Sequence, residues 1–70
     1  MQEKMVKAAA GYKLMSLTQL AAEMGTSVQN LSHKLKRGSL KRSDMERIAE
    51  ILGAKYEERF IFPDGTKIGE

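Results

Sequence analysis

Between Val28 and Arg42 the chain gathers side chains suited to base edges and phosphates. Gln29 and Asn30 carry amides that give and take a hydrogen bond in one plane, the pattern an adenine edge presents in the major groove. His33 and Lys34 can donate to guanine acceptors, Ser32 to several bases, and Val28 offers methyl groups to a thymine methyl. The cations Lys34, Lys36, Arg37, Lys41 and Arg42 crowd the same span, and no acid occurs between Glu23 and Asp44. Cations placed this way neutralise a row of phosphates and release its counterions. The ordinary alternative is a solvated, Lys-rich helix end.

Charge is divided along the chain. Residues 1–43 carry 8 basic and 2 acidic side chains, and residues 44–70 carry 4 basic and 7 acidic ones. The halves therefore hold +6 and −3, which sum to the net +3. A basic half beside an acidic half suggests one face for a polyanion.

Other chemistries find little support. The chain has no Cys and one His, His33. Disulfides and thiolate metal sites are thus excluded, and a lone imidazole does not make a metal centre. No nucleotide loop or nucleophile motif is present. The Ser, Asp and Glu pairs read as helix caps and surface charge. The expectation is a chain that is not an enzyme, with no cofactor, no metal and no evident small-molecule ligand. The five Met are ordinary core filler. No apolar run approaches the roughly 18 residues that span a bilayer. The opening "MQEKMVKAAAGYK" lacks the apolar core of a signal peptide. Cytoplasmic location without a membrane partner is therefore expected.

The elements that must position these groups follow from periodicity. Seventy residues make one small domain with a modest core. A first helix is expected over about 2–12, with Met5, Val6, Ala9 and Tyr12 on one face. Gly11 weakens its end, and residues 13–15 form a connection. A second helix opens at Ser16, where Ser16 and Gln19 have the form of a capping box. Leu17, Leu20, Ala21 and Met24 form its apolar face, and Gly25 ends it. A third opens at Ser27, turns Leu31 and Leu35 inward with Val28 one turn earlier, and stops at Gly38. Leu40 should tuck into the core. A fourth is expected from a capping box at Ser43 and Glu46, with Met45, Ile48, Ala49 and Leu52 inward and Gly53 closing it.

From Tyr56 the texture changes to "YEERFIFPDGTKI". Pro63 and Asp64 suit a turn centre and Gly65 a left-handed bulge position, so a β-hairpin is expected. Pairing Phe62 with Thr66 places Phe60 opposite Ile68. Tyr56, Phe60, Phe62 and Ile68 then share one face, to be laid on the fourth and first helices. Glu57, Arg59 and Lys67 fall on the other face with Ile61.

The second and third predicted helices and their three-residue link have the layout of a helix-turn-helix. "MSLTQLAAEMGTSVQNLSHKLKRG", continued by "MERIAEILGA", resembles the lambda-repressor-like DNA-binding domains of the Cro/C1 type, the XRE family. The resemblance rests on Ser16, Leu20-Ala21, Gly25, Ser27, Leu31-Ser32, Gly38, Ile48-Ala49 and Leu52-Gly53, in order, and spans roughly residues 4–54. It implies a mainly α, four-helix lambda-repressor-like domain over 1–54, with the hairpin at 55–70 as an extension. It also implies a transcriptional regulator that binds double-stranded DNA, located with the nucleoid, whose recognition helix covers about 28–37. The family's usual base-reading positions fall on Val28, Gln29 and His33, to which residue chemistry adds Asn30 and Ser32. Phosphate contacts fall on Ser16, Leu17 and Ser27 at helix starts, and on Lys34, Lys36, Arg37, Lys41 and Arg42. Leu17 and Val28 depart from the pattern, standing where a Gln is frequent.

Such domains reach two half-sites as dimers. A homodimer is expected through the hairpin, using Tyr56, Arg59, Phe60, Ile61, Phe62 and Ile68, by pairing of an exposed strand edge beside Ile61. Cover of the chain's own core is the plainer role for the hairpin. The competing function is a protein-interaction adaptor or antitoxin-like module that keeps the fold with weak or no DNA binding.

Overall fold

The computed structural model describes residues 2–69. Four helices lead into a small sheet: α1 (Gln2–Tyr12), α2 (Leu17–Met24), α3 (Val28–Arg37), α4 (Arg42–Ile51), β1 (Lys55–Tyr56), β2 (Phe60–Ile61) and β3 (Lys67–Ile68). The helix starts at Ser16 and Ser27 and the stops at Gly25 and Gly38 fall where local chemistry puts them. Gly25 and Gly38 both take the left-handed conformation, φ 77° and 63°, that closes a helix.

The core is continuous through both halves of the chain. Val6, Ala9, Leu20, Ala21, Leu31, Leu35, Met45, Ile48 and Leu52 join Phe60 and Phe62 in one buried cluster. Leu40 is drawn into it from the α3–α4 loop, as expected. Two side chains tie α1 across the fold. Gln2 Nε2 donates to the Leu40 carbonyl at 2.8 Å, and Gln2 Oε1 accepts from the Leu40 N–H at 3.1 Å. At the other end of α1 the Tyr12 hydroxyl bonds to Asp64 Oδ2 and to Thr66 Oγ1. The Tyr12 ring lies 4.6 Å from that of Phe62. Tyr12 is therefore not the buried residue its spacing suggests. It is 41% exposed and spans the edge of the core, while Ala10 takes the inner position.

Two further expectations are corrected. Helix α4 does not open at Ser43. Its N-cap is Lys41, whose N–H is accepted by Asp44 Oδ2 at 3.0 Å. The backbone there is already held by the Gln2 clamp and by burial of Leu40, so the helix starts immediately after them. The C-terminal unit is also not a simple hairpin. It is a three-stranded antiparallel sheet in the order β1-β2-β3. The Pro63–Gly65 turn forms as its residues dictate, with Phe62 N–H donating to Thr66 and Gly65, at φ 91°, donating to Phe62. Phe60 pairs with Ile68 as expected. The unexpected pairing is Tyr56 with Phe60, which makes β2 the central strand. Glu57, Glu58 and Arg59 turn the chain there, with Glu58 in the left-handed region at φ 64°. Gly69 lies against Arg59, where an added Cβ would come within 2.7 Å of the Arg59 Cβ.

Candidate nucleic-acid interface

Helix α3 is strongly two-sided. Leu31 and Leu35 are buried, and Val28 is half-buried against the same core. Gln29, His33 and Lys36 recur at four- and three-residue spacing, which sets them on one stripe of the opposite side. All three are exposed, with Arg37 and Asn30 beside the stripe. Ser32 and Lys34 flank it and are half-buried.

The turn that aims this helix is closed by hydrogen bonds of its own. Ser27 Oγ accepts from the Asn30 N–H at 3.1 Å, and Asn30 Nδ2 donates to Thr26 Oγ1 at 2.8 Å. One amide hydrogen of Asn30 therefore supports the turn, which leaves fewer of its hydrogen-bonding positions free. Ser16 Oγ accepts from the Gln19 N–H at 3.1 Å, while Gln19 Oε1 accepts from the Ser16 N–H at 2.9 Å. This box fixes the start of α2. The first-turn amides beyond it have no partner within the helix and carry the positive end of its dipole. Leu17 is half-buried on the core, so its contribution to such a surface is its backbone amide.

The basic residues are not equivalent. Lys36 and Arg37 are exposed at the end of α3, and Lys41 is exposed at the start of α4. Arg42 is engaged within the molecule. Its Nε lies 3.3 Å from Glu46 Oε2, and its guanidinium stands 5.6 Å from the Tyr56 ring centre. That pair is exposed, so its charge is shared without being removed. A feature that sequence reasoning missed is the approach of α1. Lys4 and Lys7 line an open groove with Lys36 and Arg37. Helical spacing puts Lys4 and Lys7 on one side of α1, but only the packing of α1 on α3 brings them to the other two.

The residues expected at a dimer contact divide sharply. Phe60 and Phe62 are 0% and 3% exposed, because they fill the core beneath the helices. Neither is available to a partner, which corrects their place in that set. Tyr56 and Ile68 are half-buried on the same inner side. Ile61 is half-buried and pairs with Lys55 on one flank and Lys67 on the other. Its strand is internal, so the open edges belong to β1 and β3, not to the strand beside Ile61. Arg59 is exposed.

Among the described residues no group of His, Asp or Glu is placed to hold a metal ion, and no helix is long and apolar enough to cross a membrane. The chain matches no family model, no curated protein and no solved structure.

Proposed function

We infer that the chain is a lambda-repressor-like, sequence-specific regulator of transcription that binds double-stranded DNA as a homodimer, in the cytoplasm at the nucleoid. The single observation behind this reading is the stripe of α3. Gln29, His33 and Lys36 are exposed on one line while Leu31 and Leu35 anchor the helix from behind. A side chain that carries specificity must be presented on a rigid element, and α3 is rigid for identifiable reasons. Its start is capped by Ser27, and two Leu hold its inner face. Gln29 and His33 suit base edges. Lys36, Arg37 and Lys41 suit the phosphates alongside, as do the first amides of α2.

Size supports the dimer reading. The chain measures 31 × 20 × 18 Å. One helical turn of DNA is roughly 34 Å, so a single copy reaches one half-site. A second copy supplies the other through an open edge of β1 or β3, with Arg59 and Ile61 nearby.

Two observations favour the adaptor or antitoxin-like reading. Val28 is half-occupied by the core, and Asn30 is partly spent on the turn. Both narrow the readout. Selection of bound sequences from a random duplex pool separates the two readings. An enriched inverted repeat with half-sites one turn apart is expected. A pool that stays random at low salt overturns the regulator reading and leaves the adaptor.

A further inference from the structure

The groove between α1 and the end of α3 is lined by Gln2, Glu3, Lys4, Lys7, Lys36 and Arg37, above Leu35 and Gly38, with a volume of about 540 Å³. Four of its side chains are cations and one is an acid. Glu3 Oε2 lies 3.1 Å from Lys7 Nζ, a partly exposed i,i+4 pair that shares the charge of Lys7 without removing it. The groove therefore has a net charge of +3 from these five side chains. Its walls do not depend on mobile loops. Gln2 is bonded twice to Leu40, which fixes the start of α1 against the α3–α4 loop, and Leu35 is buried beneath. Gly38 leaves the floor open, because a Cβ there would meet only Gln2 Oε1, at 4.0 Å.

Lys36 belongs both to this groove and to the exposed stripe with Gln29 and His33. The two surfaces are continuous through that residue. We propose that Lys4 and Lys7 extend the phosphate track, so that the DNA backbone leaving the C-terminal end of α3 runs along α1. The partner is a phosphodiester chain, which carries regularly spaced negative charge and no sequence requirement at this site. The inference rests on the DNA-binding reading and adds contacts on a helix outside the helix-turn-helix.

The test is a salt titration of duplex binding by wild type and by Lys4→Ala/Lys7→Ala, with Lys13→Ala/Arg47→Ala, two exposed cations outside every contact proposed above, as the charge-matched control. The affinity of wild type falls with salt by about 0.9 in log–log slope per phosphate neutralised. Each of the two copies on the duplex loses two contacts, four in all, so the slope becomes shallower by about 3.6, and between 50 and 200 mM salt wild type should lose about 150-fold more affinity than the α1 variant. The loss at low salt should be equal for all sequences, and the control variant should follow wild type. Thermal unfolding of both variants checks that the fold is intact. Wild-type slope in the α1 variant overturns this proposal and leaves the DNA-binding reading standing. Absence of duplex binding by wild type overturns both. Equal slopes for the α1 and control variants, both shallow, overturn a localised track. Tighter binding of wild type to polyglutamate than to duplex makes the groove a dock for acidic protein segments and likewise overturns it.

Discussion

Replacing Phe60 by Ala tests whether the sheet is part of the domain or an attachment to it. Phe60 is completely buried, paired with Tyr56 and Ile68 across the sheet, and clustered with Ile48, Leu52 and Val6. Truncating a buried Phe removes its transfer free energy and leaves a cavity, costing about 3–5 kcal/mol. A 70-residue domain has about 4–10 kcal/mol in all, at roughly 0.05–0.15 per residue. The single change should therefore remove about three-tenths or more of the total at the upper bound, and three-quarters or more of it at the lower. Urea unfolding followed by helical circular dichroism is the assay. The helix signal, although it comes from residues outside the sheet, should lose its stability along with Phe60. The variant should melt in one transition at a much lower midpoint, or be unfolded without urea. A helical transition within about 0.5 kcal/mol of wild type would refute the reasoning, since surface changes away from a core fall in that range. The four helices would then stand without the sheet.

Three further outcomes are expected. Tyr12 is the main reason that the Asp64 carboxyl is held down at about 2, from an ordinary 3.8, with Thr66 assisting. A lowered carboxyl stabilises the fold fully above 3.8, and the benefit disappears as pH falls towards 2. The gap in melting temperature between wild type and Tyr12→Phe should accordingly be larger at pH 6 than near pH 2, and an equal gap at both contradicts a stabilising Tyr12–Asp64 hydrogen bond. Gly11 lies inside α1 with nothing within 4 Å of an added Cβ, so Gly11→Ala should raise stability by about 0.5–1 kcal/mol in the same urea assay. Gln29→Ala and His33→Ala should each cost about 1–3 kcal/mol at one base pair, read from binding to a panel of single-base variants, while non-specific affinity barely changes; retention of the full wild-type preference by both removes α3 as the reader.

What was legible in the sequence was mostly local. Ser16 with Gln19, Ser27, Gly25 and Gly38 mark helix ends through bonds that span three or four residues. The Pro63-Asp64-Gly65 turn sets the β2–β3 register for the same reason. The misses are long-range. Helix α4 opens at Lys41 with Asp44, not at Ser43 with Glu46, because Gln2, 38 residues before Leu40, has already fixed the backbone there. Strand β1 is two residues long and enters its turn through Glu58 rather than Gly, so neither alternation nor turn chemistry marks it. In the candidate interface the exposed stripe follows from helical spacing alone. The Arg42–Glu46 pair is local too, four residues apart on α4, but the approach of Arg42 to Tyr56 and the meeting of Lys4 and Lys7 with Lys36 and Arg37 require the packed chain.

The ties at the two ends of α1 bear on how fast the chain folds. An isolated helix of this length, 11 residues, is marginal in water. Its anchors are Leu40, 38 residues from Gln2, and Asp64, 52 residues from Tyr12. Closing such loops spends chain entropy before any contact repays it. A bundle of short helices with neighbour-to-neighbour contacts folds within microseconds to milliseconds. Here both ends of α1 find their side-chain partners only once residues 40 and 64–66 are in place, so completing α1 includes bringing distant parts of the chain together. Folding should be slower than the helical content alone implies, and α1 should be among the last elements to become protected.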